Sequence, residues 1–243
     1  MLIDLLVVSL VLFLGSFLQG ASGFGFGLFA MSFLPFLFTV KDSTLLVVSL
    51  ALITSLSIFM KVYKHIHIQT LLYLLAAAVV GRLGAFFILH NFGDMDVLKK
   101  LLGFVLIAMV VYIFMPKGSE EKRQKSSVLP LVLGFLGGFI GGLFVVGGPF
   151  FVFYFLIACK DKYAYTANLQ AAFVVSNVVT VVMHGVSGDF NIDFIYYFLI
   201  GVVSVLLGTR FGMMWLEKLS QEHVKRIAGI IVGISGVNLI LFS

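Results

Sequence analysis

Gln19 and Ser22 stand among four glycines, Gly20, Gly23, Gly25 and Gly27, in the stretch QGASGFGFG, inside a run that is otherwise apolar from Leu5 to Val40. Glycines at this density permit positive φ and close backbone approach, and they interrupt a helix. A helix broken in apolar surroundings leaves amides free, and a second half-helix opening near Gly27 aims those N–H groups and the positive end of its dipole at the turn. With Gln19 and Ser22 as added donors, the chemistry on offer is capture of a small oxyanion. A second glycine-rich stretch, GFLGGFIGGLFVVGGP, runs from Gly134 to Pro149, and its Gly141, Gly142, Gly147 and Gly148 would supply a matching turn. Tight helix packing through small-xxx-small spacing is the competing explanation, above all for Gly134, Gly137, Gly138 and Gly141.

Other polar residues interrupt apolar runs. TANLQAAFVVSNVVTVVMHG carries Asn168, Ser176, Asn177, Thr180 and His184, of which Asn168, Ser176, Thr180 and His184 recur at helical spacings. Asn168, Ser176 and Asn177 are candidate substrate ligands, or else hydrogen-bond neighbouring helices. His184 is the one group there that titrates near neutrality, placed on a pathway or at an interface. Arg82 in VGRLG and Arg210 in GTRFG hold equivalent places, and a cation inside a span is costly unless paired or solvated. They lend the pathway a positive potential, bind carbonyls of the opposite glycine-rich stretch, or snorkel to the interface. No Asp or Glu falls in the central part of any apolar run, which excludes a carboxylate relay. Metal-ligand spacing, a P-loop, a dinucleotide fingerprint and a buried catalytic dyad are all missing from the sequence, so it points to no enzyme, no cofactor and no metal. His65 and His67 read as a solvated loop pair, and the single Cys159 excludes an intramolecular disulfide.

The elements that must hold these residues follow from composition. The 243 residues are 61% hydrophobic and 11% charged, with a mean hydropathy of +1.15. That is more apolar side chain than one soluble core can use. The net charge of +5 is spread over short loops, which excludes nucleic acid as a partner and leaves a lipid bilayer and a small anion. MLIDLLVVSLVLFLG lacks a basic n-region and a small-residue cleavage site, so it reads as the start of the first helix. Spans are expected at 43–63, 69–90, 98–115, 163–184, 193–213 and 224–242, besides the glycine-interrupted stretches 5–40 and 128–159.

The two halves resemble each other: GSFLQGASG pairs with GFLGGFIGG, VGRLG with GTRFG, and LKKLLG with VKRIAG. Repeats at 1–116 and 128–243 flank a polar linker, 117–127. If each glycine-rich stretch crosses the membrane once, the loop Lys and Arg divide six to eight. If each is a re-entrant hairpin, eleven from Lys61 to Arg226 share one face and only Lys41, Lys99 and Lys100 the other. The positive-inside rule selects hairpins, with both termini outside and the linker cytoplasmic. The expected fold is all-α: a polytopic transmembrane bundle of two inverted repeats, each a glycine-broken re-entrant helical hairpin plus three spans.

GSFLQGASGFGFGL, GFLGGFIGGLFVVGGP, SNVVTVVMHGVSGDF and the paired GRLG and GTRFG together resemble the TauE/SafE sulfite exporter family, over essentially the whole chain. The resemblance implies transport of small sulfur-containing anions, such as sulfite, sulfoacetate or related organosulfonates, across the cytoplasmic membrane. One departure bears on the site: the second glycine turn is almost wholly apolar, with no glutamine aligned to Gln19. That argues against a symmetric ligand shell and shifts weight to Gln19, Ser22, Asn168 and Asn177.

Overall fold

A computed structural model describes residues 2–114, 128–159, 161–215 and 221–242; the linker 117–127 lies outside the described residues. Ten α-helices are described: α1 Leu2–Ser22, α2 Phe26–Met31, α3 Val40–Val62, α4 Ile68–Phe92, α5 Asp96–Phe114, α6 Val128–Phe144, α7 Gly148–Ala158, α8 Lys162–Val186, α9 Ile192–Trp215 and α10 Gln221–Phe242. Among the described residues, five helical stretches are long and apolar enough to cross a membrane: Asp4–Ser22, Val40–His65, Ile68–Phe92, Lys162–Val186 and Phe194–Met214.

Local chemistry sets the boundaries. The Thr39 hydroxyl accepts from the Asp42 amide at 3.0 Å and opens α3, and the Asp161 carboxylate accepts from the Ala164 amide at 2.7 Å and opens α8. Helix α1 stops where Gly23 takes φ +84° and Gly25 φ +110°, conformations that side chains with a Cβ rarely adopt. The chain then doubles back, since the ring and carbonyl of Phe26 lie against Gly15. Helix α7 likewise folds onto α6, with Phe150 and Phe151 against Gly137. Both glycine-rich stretches are therefore helix–turn–helix units in which the second helix returns along the first.

Packing between the halves is reciprocal. Helix α1 pairs with α9, and α6 pairs with α4. The first pair runs parallel, because Gly208 meets Phe13 and Ser16 while Gly212 meets Phe17 and Ala21. The second pair runs parallel as well: Gly134 meets Leu74 and Ala77, Gly138 meets Ala78, and Gly142 meets Ala85. Small residues let these backbones approach closely, which is how helices associate where lipid offers no hydrophobic drive. Helices α5 and α10 pair antiparallel across Gly103 and Gly236. Helices α3 and α8 also run antiparallel, tied by an ion pair from Lys41 to Asp189 at one end and a hydrogen bond from the His67 amide to Asn168 at the other. The tips of the two helix–turn–helix units pass each other, with Gly27 packed onto the carbonyl of Val145. The core there is formed by Leu12, Phe26, Leu50, Phe144 and Val146.

Candidate functional site

Between the two glycine turns lies a cavity lined by Gln19, Gly25, Ser55, Arg82, Gly141, Gly147, Gly148, Phe173 and Asn177, among others. Its volume, counted over positions a water molecule's centre can take, is about 30 Å³. A single water needs roughly 10–15 Å³ on this measure, so the space suits an ion of a few heavy atoms. Both turns reach it through their backbones. Gly25 has nothing within 4 Å of where a Cβ would stand, and its face is open to the space.

Arg82 supplies the charge. It projects from the middle of α4, is 3% exposed, and fits because Gly141 and Gly142 leave room for its guanidinium and stem. Nη1 donates to Thr180 Oγ1 at 2.9 Å and Nη2 donates to Asn177 Oδ1 at 3.2 Å, both on α8. Nε is buried with no partner. Among the described residues no carboxylate pairs with Arg82. Thr180 and Asn177 orient the fork but carry no charge, so the positive charge is uncompensated at the cavity wall.

Elsewhere in the lining the Gln19 amide donates to Ser55 Oγ at 3.1 Å and to Gln170 Oε1 at 3.4 Å. Gln170 in turn donates to the Gly23 carbonyl at 2.7 Å and so braces the first turn. Gln170 is not singled out by the sequence, although in NLQ it stands two residues from Asn168, a signal that could raise it.

The structure gathers some of the expected site residues and separates others. Gln19, Gly25, Arg82, Gly141, Gly147, Gly148 and Asn177 line the cavity. Ser22 does not: its hydroxyl lies 2.8 Å from the Leu18 carbonyl and 2.7 Å from that of Phe24, and closes the turn. Asn168 sits near the start of α8, where it donates to the Ala164 carbonyl and accepts from the His67 amide. Gly20 is pressed against Thr209 and Gly212 of α9, Gly23 forms the turn itself, and Gly142 packs on Ala85. Ser176 is buried with its hydroxyl unpartnered. Arg210 differs from its counterpart Arg82, since it lies on the exposed face of α9.

His184 belongs to a second polar cluster at the far end of α8. Its Nδ1 lies 2.6 Å from Asp189 Oδ2, beside His90 at 2.9 Å and Lys41, whose Nζ is 2.7 Å from Oδ1. Burial raises the Asp189 carboxyl, but the hydrogen bonds from Lys41, His90 and His184 outweigh it and hold the group down at about 2. Among the described residues no group of three or more His, Cys, Asp or Glu has the geometry for a metal ion.

Comparison with known proteins agrees with this architecture. The family model described as Sulfite exporter TauE/SafE matches residues 8–239. A curated protein of Methanocaldococcus jannaschii, described as a probable membrane transporter protein, is 22% identical over 260 residues, covering 99% of this chain and 96% of its own length. No solved structure matches the chain. The chain therefore belongs to the TauE/SafE sulfite exporter family of membrane transporters.

Proposed function

We propose that the chain carries small sulfur-containing oxyanions, such as sulfite or an organosulfonate, across the cytoplasmic membrane by alternating access, with the anion held against Arg82 in the cavity between the two glycine turns. The observation that carries the reading is the buried guanidinium with no carboxylate partner among the described residues. Placing an arginine at mid-span costs roughly 3 kcal/mol on insertion scales. A unit anion about 4 Å away gains a comparable 4 kcal/mol at an effective dielectric near 20. An anion in the cavity thus offsets what the uncompensated charge costs, and the planar fork matches two oxygens of a sulfite or sulfonate head. Gln19, Asn177 and the backbone of Gly25 and Gly147 complete the polar lining.

The transport cycle belongs to two inverted repeats, 1–116 and 128–243, joined by the linker 117–127. Reciprocal packing supports this: each half lays its first helix along the third long helix of the other, α1 on α9 and α6 on α4. Rocking of one half against the other would expose the cavity alternately to each side, without covalent chemistry. The charge bias of the loops supports an orientation with both termini outside and the linker cytoplasmic.

The test is tracer exchange in proteoliposomes, which needs no net driving force. Labelled sulfite, methanesulfonate and acetate are each offered against unlabelled anion. Saturable exchange of a sulfur anion, lost in Arg82→Met, supports the reading. Exchange of acetate alone would move the substrate to carboxylates, and conductance without saturation would make the protein a channel.

A further inference from the structure

The cluster of Lys41, His90, His184 and Asp189 has the features of a proton-binding site. Exposure falls inward along it: the side chain of His90 is 38% exposed, Asp189 4% and His184 0%. A carboxylate only accepts hydrogen bonds, so Nδ1 of each histidine carries the hydrogen that it donates to Asp189. In neutral His184 the lone pair is then on Nε2, and Nε2 is buried without a partner. Asp189 stays ionised, at about 2, so an arriving proton settles on imidazole and not on the carboxylate.

The proton site is built into the same two helices as the anion site. On α8, Asn177, Thr180 and His184 follow one another toward the helix end, and the first two hold Arg82. On α4, Arg82, Phe86 and His90 follow at four-residue spacing. Phe86 lies between the histidines, its ring centroid 4.8 Å from that of His184 and 5.4 Å from that of His90. The charged groups facing His184 are Asp189 on its own segment, Lys41 at the start of α3 and His90 on α4. Asp42 is joined to the same region through Asn191.

We propose that His184 Nε2 binds a proton while its Nδ1–H stays held by Asp189, and that the protein carries its anion together with that proton. Resting on the anion-transport reading, the coupling is electrostatic. Lys41 and Asp189 balance each other, Arg82 is unbalanced, and a proton on His184 adds a second positive charge one turn beyond Thr180. Each ligand therefore favours the other, the condition for symport. The ledger closes with one proton taken up at Nε2 and one monoanion at Arg82, both released on the far side, with no net charge moved. Net direction follows the sum of the two gradients, so a cell loaded with the anion exports it with a proton.

The experiment uses proteoliposomes with the potential clamped at zero, entrapped pyranine to report protons, and methanesulfonate, a permanent monoanion, as the probe. Expected for the wild type is net uptake driven by an outside-acid gradient, with accumulation approaching about ten-fold per pH unit and pyranine acidification that requires methanesulfonate. His184→Gln and Asp189→Asn should lose gradient-driven uptake while tracer exchange remains saturable, which also shows that they fold. Wild-type exchange that ignores the pH gradient, with no anion-dependent proton signal, overturns the coupling alone. Absence of exchange from folded wild-type protein removes the transport reading and the coupling with it.

Discussion

Arg82 and Arg210 occupy matching places in the two halves, and only one of them meets a cavity. The difference lies in what surrounds them: Gly141 and Gly142 of α6 clear a space beside Arg82, whereas Arg210 faces outward from α9. Arg82→Lys keeps a charge but cannot donate to Thr180 and Asn177 from a planar fork, so half-saturation in the exchange assay should rise about ten-fold, equivalent to about 1.4 kcal/mol. Arg210→Lys should leave it unchanged. A second residue-scale prediction concerns acid. The folded-state value of Asp189 is lowered from 3.8 to about 2. Its contribution to stability is therefore present above about pH 4 and is lost as pH falls through about 2. Melting of the solubilised wild type should drop across that window. Asp189→Asn should melt lower at neutral pH and lack that component of the drop. Sequence made Arg82 conspicuous, because a cation amid apolar residues stands out. It could not make Asp189 conspicuous: an acid in a loop reads as solvated, and its partners Lys41 and His90 lie far away along the chain.

At the level of elements, much of the layout could be read from hydropathy alone. Spans expected at 43–63, 69–90 and 163–184 correspond to Val40–Val62, Ile68–Phe92 and Lys162–Val186, with the ends set by caps that hydropathy does not register. Harder to read was the division of labour among glycines. Gly23 and Gly25 take positive φ, while Gly20, Gly134 and Gly138 stay helical and serve close packing. Composition is the same in both cases, and only the partner helix distinguishes them. A pair of substitutions tests this. A Cβ at Gly138 would collide with the Ala78 backbone, whereas one at Gly233 meets only Val110 Cγ1 at 3.9 Å. Gly138→Ala should therefore destabilise the solubilised protein by about 1–3 kcal/mol and Gly233→Ala should not, as measured by thermal melting.

For the molecule as a whole, the orientation proposed from loop charge has a direct readout. On a Cys159→Ser background, Asp94→Cys, between α4 and α5, should react with an impermeant maleimide in intact cells. Lys64→Cys, between α3 and α4, should react only after permeabilisation, and the reverse pattern would invert the protein in the membrane. The exchanged packing also sets the timetable of synthesis. Helix α1 ends at residue 22 and its partner α9 begins at residue 192. The Gly20 face of α1, which packs on Thr209 and Gly212, thus stays uncovered until α9 has been made. The nascent first half must wait in the bilayer without α9 beside α1, which makes the pairing of these two helices a late step of assembly.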